Sequence, residues 1–366
     1  MSQRLVLKVG TSTLTGGGER LLDGRLAALA DMIAELRACG REVVLVSSGA
    51  VAAGREQLGW RELPRQVPVK QMLAAVGQPV LMARYQLELA RHSLNTAQIL
   101  LSRSDLERRS SWLNARNTLR ALLDQGLLPI VNENDSVATE ELRFGDNDRL
   151  SALVATLVDA AQLVLLTDQD GLYSANPRFD PAAQLIFEVA GPIPAALRAA
   201  AGGSSGGLGT GGMASKLQAA DLARRAGIEV IICHGGHPER LSALLQSQPA
   251  RGTLLRPLVS GLEARKRFLL GALDAGTLRI DNGAVQALRQ GRSLLPVGVR
   301  GCEGGFARGD LLRVQAEDGV EIARGVVNYS ADDLRRIAGR RSEDIESLLG
   351  YHLGDAVIHR NDLVVL

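Results

Sequence analysis

Asp146-Asn147-Asp148 sets two carboxylates around an amide, and the residues behind it recur as Leu150, Leu153, Val154, Leu157 and Val158. That i, i+3, i+4, i+7 spacing predicts one buried face of a helix, with the acidic triplet at its N-terminus. Free N–H groups and the helix dipole stabilise carboxylates there, so capping alone would account for the triplet. Its company points further. The apolar run Leu127 to Val131 ends in Asn132-Glu133-Asn134-Asp135, and Leu163 to Leu166 ends in Thr167-Asp168. Three polar segment ends converging on one sheet edge would make a site.

Two lysines add positive charge. Lys8 interrupts the apolar strand Arg4 to Gly10, just before the hydroxyl- and glycine-rich turn Thr11 to Gly18. An unpaired ammonium is costly to bury, so Lys8 needs an edge or a partner, and a turn full of N–H and O–H donors is what an anion would want. Lys216 stands in the first turn of a helix starting near Met213, behind the glycine-rich run Gly202 to Gly212. A cation there opposes the helix dipole unless a negative ligand is present. Gly207, Gly209 and Gly212 match G-x-G-x-x-G by letter, but an alanine-rich helical segment precedes them where a dinucleotide fingerprint needs a strand. No Walker A sequence occurs. A plain flexible linker is the blander reading of the same glycines.

Strands and helices must position these groups. After the first strand comes a helix with Leu26, Leu29, Ile33 and Leu36 on one face, closed by Gly40, then the strand Glu42 to Val46 running into Ser47-Ser48-Gly49-Ala50. Lys70 to His92 and Asn114 to Asp124 read as helices, Thr96 to Leu101 as a third strand, and Ile228 to Cys233 as the last sheet strand, with Gly252 to Leu255 at an edge. The alternation predicts an α/β fold, a mostly parallel sheet sandwiched by helices, with ligands outside the carboxyl ends of its strands. Composition changes after residues 257–267. The reading is one domain over 1–257, a linker over 258–269, and a small β-rich domain over 270–366, with short strands at Gly276 to Ile280, Gly291 to Val297, Gly309 to Gln315, Val320 to Val327 and Asp355 to His359. A helix from Ser330 to Leu349 interrupts them, and its Arg335, Arg336, Arg340 and Arg341 form either a solvated face or an RNA surface.

A net charge of +2 with 22% charged residues gives no global pull toward nucleic acid, and 46% hydrophobic with 3% aromatic residues predicts an aliphatic core. Cys39, Cys233 and Cys302 lie too far apart for a disulfide framework or a cysteine metal site. With no secretory leader and no stretch long enough to span a bilayer, a cytoplasmic protein is expected.

Lysines by glycine-rich turns, strand-end hydroxyls and acids, an acidic helix start and no histidine in any of these places suit phosphoryl transfer from a nucleotide. A carboxylate acceptor, with a pKa of about 4.3, is already ionised at neutral pH and needs no base.

Together, Leu7-Lys8-Val9-Gly10-Thr11-Ser12, Ser47-Ser48-Gly49-Ala50, Leu113 to Leu119, Val131 to Asp135, Gly145 to Asp148, Leu166-Thr167-Asp168 and Gly207 to Met213 carry a family resemblance. The chain resembles the glutamate 5-kinases, a branch of the amino acid kinase family, over nearly its whole length, and its last hundred or so residues look like a PUA domain. The resemblance implies ATP- and Mg²⁺-dependent phosphorylation of the side-chain carboxylate of L-glutamate, the first step of proline synthesis, inhibited by proline. By position it makes Lys8 and Lys216 neutralise the transferring phosphoryl group, and Asp146 and Asp148 organise the lysines and the metal region. It gives glutamate to Ser48, Asp135 and Asn147. It gives ATP to Lys8, Thr167, Asp168 and the run Thr210, Gly211, Gly212, Met213, Ala214, Ser215 and Lys216. Asn114 to Asn117 and Glu140 to Gly145 are the candidates for the proline response, and a homo-oligomer, dimer or tetramer, is expected. Relatives acting on aspartate, acetylglutamate, carbamate or UMP are the nearest alternatives, and an RNA-binding protein with a passenger kinase domain is the remote one.

Overall fold

The computed structural model describes residues 4–60, 66–137, 147–202, 212–245, 250–271 and 274–366. In chain order run β1 (Arg4–Val9), α1 (Thr11–Thr15), α2 (Asp23–Ala38), β2 (Glu42–Ser47), α3 (Ala50–Gln57), α4 (Val67–Ala90), β3 (Thr96–Leu101), α5 (Arg103–Glu107), α6 (Arg109–Asp124), β4 (Leu128–Glu133), α7 (Asn147–Leu157) and β5 (Gln162–Thr167). There follow β6 (Leu172–Tyr173), β7 (Leu185–Ile186), β8 (Glu188–Val189), α8 (Ala195–Ala201), α9 (Met213–Arg225), β9 (Glu229–His234), α10 (Pro238–Leu245), β10 (Thr253–Leu255) and α11 (Gly261–Gly271). The chain divides into two compact units, residues 1–107 with 115–261, and residues 108–114 with 262–366. Among the described residues no helix is long and apolar enough to cross a membrane.

The first unit is built on an eight-stranded sheet in the order β3-β4-β2-β1-β5-β9-β10-β8. β1 pairs in parallel with β2 and β5, and parallel pairing continues from β2 to β4 to β3 and from β5 to β9. Every residue of β4 and β5 is buried, as continuous apolar strands covered on both faces should be. α2 lays Leu26, Leu29, Ile33 and Leu36 into the core and stops where Gly40 turns to φ 76°. The far end of the sheet departs from the sequence reading. β10 is antiparallel to β9 and lies inside the sheet, because the two-residue β8 adds alongside it and takes the edge.

The chain leaves β1 on one side for β2 and comes back on the other for β5, so strand order reverses at β1. The carboxyl ends of β1, β2, β4 and β5 therefore open on one crevice, the place where such sheets take ligands. α3 begins at this crevice behind Gly49, whose φ of 105° is the left-handed turn that lets β2 swing into the helix. α3 and α4 cross backbone to backbone: a Cβ on Gly54 would lie 1.9 Å from Leu73 O. Gly54→Ala is therefore expected to cost more than the usual overpacking penalty of about 1–3 kcal/mol, read as a lowered Tm. An unchanged Tm would mean that the crossing is not tight.

In the second unit β11 (Gly276–Ile280), α12 (Asn282–Arg289), β12 (Val299–Glu303), β13 (Leu311–Ala316), β14 (Glu321–Val326), α13 (Ala331–Ile337), α14 (Ile345–Leu349) and β15 (Leu363–Val365) form a five-stranded sheet with its helices, in the strand order β12-β11-β13-β14-β15. Leu278, Val314, Tyr329, Leu334 and Ile337 centre its core. Three local expectations are corrected. The stretch 291–297 is not a strand; Leu294 makes a single bridge to Ile358, and that bridge is all the pairing in 355–359. The helix expected over 330–349 is broken between α13 and α14 at Gly339, whose φ is 73°. Apart from these, α11 runs through residues 261–269 of the stretch read as a linker, and a linker can be helical. Arg335 pairs with Asp332 and donates to Gly304 O at 3.2 Å, while Arg336 donates to Leu348 O, so both of these arginines make contacts within the unit.

Candidate active site

Asp148 lies in the first turn of α7, fully buried. Its Oδ1 faces Lys8 Nζ in an ion pair, and its Oδ2 accepts from Lys216 Nζ at 3.2 Å. Lys8 comes from the middle of the sheet, where β1 pairs it with Val46 and Leu165, and it is 3% exposed. The partner that a buried strand lysine requires is thus a carboxylate from a helix 140 positions on. Lys216 comes from the first turn of α9, which packs against α7. The Ser215 hydroxyl stands 2.9 Å from Asp148 Oδ2 and 2.8 Å from Gly212 O. Burial alone would push the Asp148 carboxyl up, but the Lys8 and Lys216 ammonium groups, aided by the Lys8 and Ser215 hydrogen bonds, outweigh it and hold it well below the usual carboxylate range. Two cations on one anion leave this cluster with a net positive charge at the carboxyl end of β1, an arrangement suited to a further anion.

α9 is held from its other end by Arg224, whose side chain is fully buried. Its guanidinium donates to Arg256 O at 2.6 Å, Val189 O at 3.2 Å and Gly191 O at 2.5 Å. Those carbonyls belong to the β8 and β10 end of the sheet, so the helix carrying Ser215 and Lys216 is anchored to the strands that the sequence placed least well. Gly212, Met213, Ala214 and Ser215 are half-buried where α9 starts.

Beside the lysine cluster sits a set of amides. Asn147, 6% exposed, donates its Nδ2 to Ser47 O at 2.5 Å and to Asn132 Oδ1 at 2.8 Å. Ser48 opens the turn into α3, its N–H donating to Val9 O at 3.1 Å. Asp135 is half-buried in the turn that follows β4. On the other flank, Thr167 ends β5 with its hydroxyl 3.1 Å from Asp168 Oδ1, and the half-exposed Asp168 takes Arg178 Nη2 at 3.0 Å.

Of the residues singled out from the sequence, Lys8, Asp148, Ser215 and Lys216 meet in one cluster, and Asn147 neighbours it through the chain. Ser48, Asp135, Thr167 and Asp168 lie at or just past the ends of β2, β4 and β5. Asp146, Thr210 and Gly211 lie outside the described residues, as does the stretch 140–145; Asn114 and Asn117 stand on α6, exposed and half-buried. Among the described residues no group of three or more His, Cys, Asp or Glu could hold a metal ion. The sequence reading gave no role to Gln78 or Tyr85, and took Ser47 and Asn132 only as parts of the segments they belong to. A polar residue in a wholly buried strand was the available signal for Asn132; Gln78 and Tyr85 had none, since one amide and one phenol in an apolar helix are unremarkable.

Residues 3–234 match the model of the amino acid kinase family, and residues 276–349 match the PUA domain. A glutamate 5-kinase of Sodalis glossinidius is 51% identical over 365 residues, covering 100% of this chain and 99% of that protein. One from Klebsiella pneumoniae strain 342 is 49% identical over 365 residues at the same coverage, and one from Citrobacter koseri is 49% identical over 364 residues, 99% of each chain. Among solved structures, the isopentenyl phosphate kinase substrate complex is similar with a TM-score of 0.49 and 17% identity, over 69% of this chain and 99% of that one.

Proposed function

The chain belongs to the amino acid kinase family, with a PUA domain after the kinase region, and on that premise we propose that it transfers the γ-phosphoryl group of ATP to the side-chain carboxylate of L-glutamate. The observation that carries the reading is the Lys8–Asp148–Lys216 cluster at the strand-order reversal. In the transfer a glutamate carboxylate oxygen bonds to phosphorus as the bond to the β,γ-bridging oxygen breaks, giving L-glutamyl 5-phosphate and ADP. Charge spreads over the moving group's oxygens, and the two ammonium groups meet it without reorganising. Asp148 keeps them from repelling each other apart. The acceptor is ionised at neutral pH, so the absence of a histidine base from the cluster fits.

Glutamate is assigned to Ser48, Asp135 and Asn147 beside β2 and β4, and ATP to Thr167, Asp168 and residues 210–216 on the β5 and α9 side, so that the two substrates approach the lysines from opposite flanks. Mg²⁺ is not given a protein cage. The Asp148 carboxylate is engaged by two lysines and a serine, and the described residues offer no acidic cluster, so such an ion would be carried on the nucleotide phosphates. The product is an activated acid of the kind a reductase consumes; the reading takes this reaction as the first step of proline synthesis, in the cytoplasm, with proline as an inhibitor that competes in the glutamate region.

The test is to trap acyl phosphate with hydroxylamine, with ATP and Mg²⁺, on L-glutamate beside L-aspartate and N-acetylglutamate, with and without proline. A hydroxamate from glutamate alone, suppressed by proline, is the expected result. None from glutamate with folded protein would overturn the reading.

A further inference from the structure

Gln78 follows Gly77 in α4, and the bare backbone of Gly77 lies so close to the start of α3 that a Cβ would meet Ala50 O at 1.9 Å. The Gln78 side chain, 8% exposed, is brought to the end of β4. Its Oε1 accepts from Asn132 Nδ2 at 2.8 Å; Asn132 Oδ1 accepts from Asn147 Nδ2 at 2.8 Å and from the Glu133 N–H at 2.9 Å; and Asn147 Nδ2 donates also to Ser47 O. One heptad further along α4, the buried Tyr85 hydroxyl is 2.8 Å from Ser47 Oγ, so the same helix steadies both ends of the chain of amides.

Backbone groups set the direction of this chain, since the Ser47 carbonyl can only accept and the Glu133 N–H can only donate. Asn147 therefore has both amide hydrogens committed and only Oδ1 to offer. At the other end Gln78 has its oxygen committed, and its buried Nε2 has no hydrogen-bond partner among the described residues. The oxygen of Gln78 satisfies Asn132, but its buried Nε2 carries a desolvation cost that the contact with Asn132 does not offset, so that contact alone does not explain an amide here.

We propose that Gln78 is a positioning residue that sets the preference for an amino acid over the corresponding simple diacid. Backbone groups fix which way the amides face and Gln78 fixes where Asn132 sits, so that Asn147 is held in place with Oδ1 turned to the acceptor substrate, where it takes a hydrogen bond from the ammonium group. An ammonium group is all donor, so an amide turned the other way, presenting its NH₂, would repel it. This rests on the assignment of glutamate as acceptor, with Asn147 among the groups that bind it.

The experiment compares full-length wild type, Gln78→Met and Gln78→Glu, measuring KM for L-glutamate, the inhibition constant of glutarate, which lacks only the amine, KM for ATP, and Tm. In Gln78→Met the preference for glutamate over glutarate is expected to fall at least fivefold, through glutamate alone, with ATP KM within twofold and Tm within about 3 °C. Gln78→Glu keeps an acceptor for Asn132 Nδ2 and is expected to hold the preference within threefold; it also decides the matter if the methionine variant does not fold. An unchanged preference in Gln78→Met, a parallel weakening of glutamate, glutarate and ATP, or loss of preference in a folded Gln78→Glu each overturns the proposal. A wild type that makes no hydroxamate from glutamate removes the functional reading and this proposal with it. An active wild type beside a Gln78→Met of unchanged preference removes this proposal alone.

Discussion

Lys8→Ala is expected to lower kcat by about a thousandfold while KM for glutamate moves less than about threefold. Removing one preorganised electrostatic donor from a developing charge typically costs about 10²–10³ in kcat, and phosphoryl transfer leans on such donors more than most reactions. An interaction that strengthens only in the transition state shows in kcat, and one made equally to bound substrate shows in KM. Lys8 carries a second duty, because it supplies half of the counter-charge on Asp148. In the variant Asp148 and Lys216 remain as a pair, so Lys216 presents less free charge to the phosphoryl group and part of the loss is indirect. Lys216→Ala removes the other partner and is expected to match it within about tenfold. Steady-state hydroxamate formation, with Tm as the control for folding, checks both. A rise in glutamate KM as large as the fall in kcat would assign the lysines to ground-state binding.

The second large effect is on stability. Asp148→Asn leaves two buried ammonium groups with no carboxylate between them, and breaking a buried pair from one side costs about 3–5 kcal/mol. Combining it with Lys8→Met removes one of the stranded charges, so the double variant should recover part of the loss, and a strictly additive result would show that the groups do not act as a unit. The pH dependence follows from the direction of the Asp148 shift. Folding holds this carboxyl below its ordinary value of 3.8. Its stabilisation is therefore complete above that value and fades as pH falls through it toward the depressed folded pKa. The difference in unfolding free energy between wild type and Asp148→Asn should be flat between about pH 5 and 7 and narrow below about pH 4. A difference that instead grows on acidification would show that the carboxyl is not held ionised by the lysines.

Local chemistry made part of this molecule readable before any coordinates. The apolar runs of β1, β2, β4 and β5 are buried on both faces, and a strand of that kind declares itself by composition. Lys8 stood out because it broke such a run, and Gly40 because a left-handed residue is what closes a helix. The errors fall where the local signal is shortest: the two-residue β8, the bridge at Leu294 and Ile358, and the break at Gly339.

By itself the sequence determined the α/β class, the alternation that makes a mostly parallel sheet, and the polar strand ends that had to gather along one edge, because each is written in residues close together in the chain. Only the tertiary structure decided which partner each buried charge or amide takes. Asp148 meets Lys8 and Lys216 from opposite sides of the sequence, Gln78 reaches Asn132 across 54 positions, and Asn147 reaches Ser47 across 100. Periodicity reports which face of an element is buried, not what lies against it. The direction of the amide relay was beyond the sequence for the same reason: it is set by a strand-end carbonyl and a strand N–H that only the folded sheet brings to those side chains.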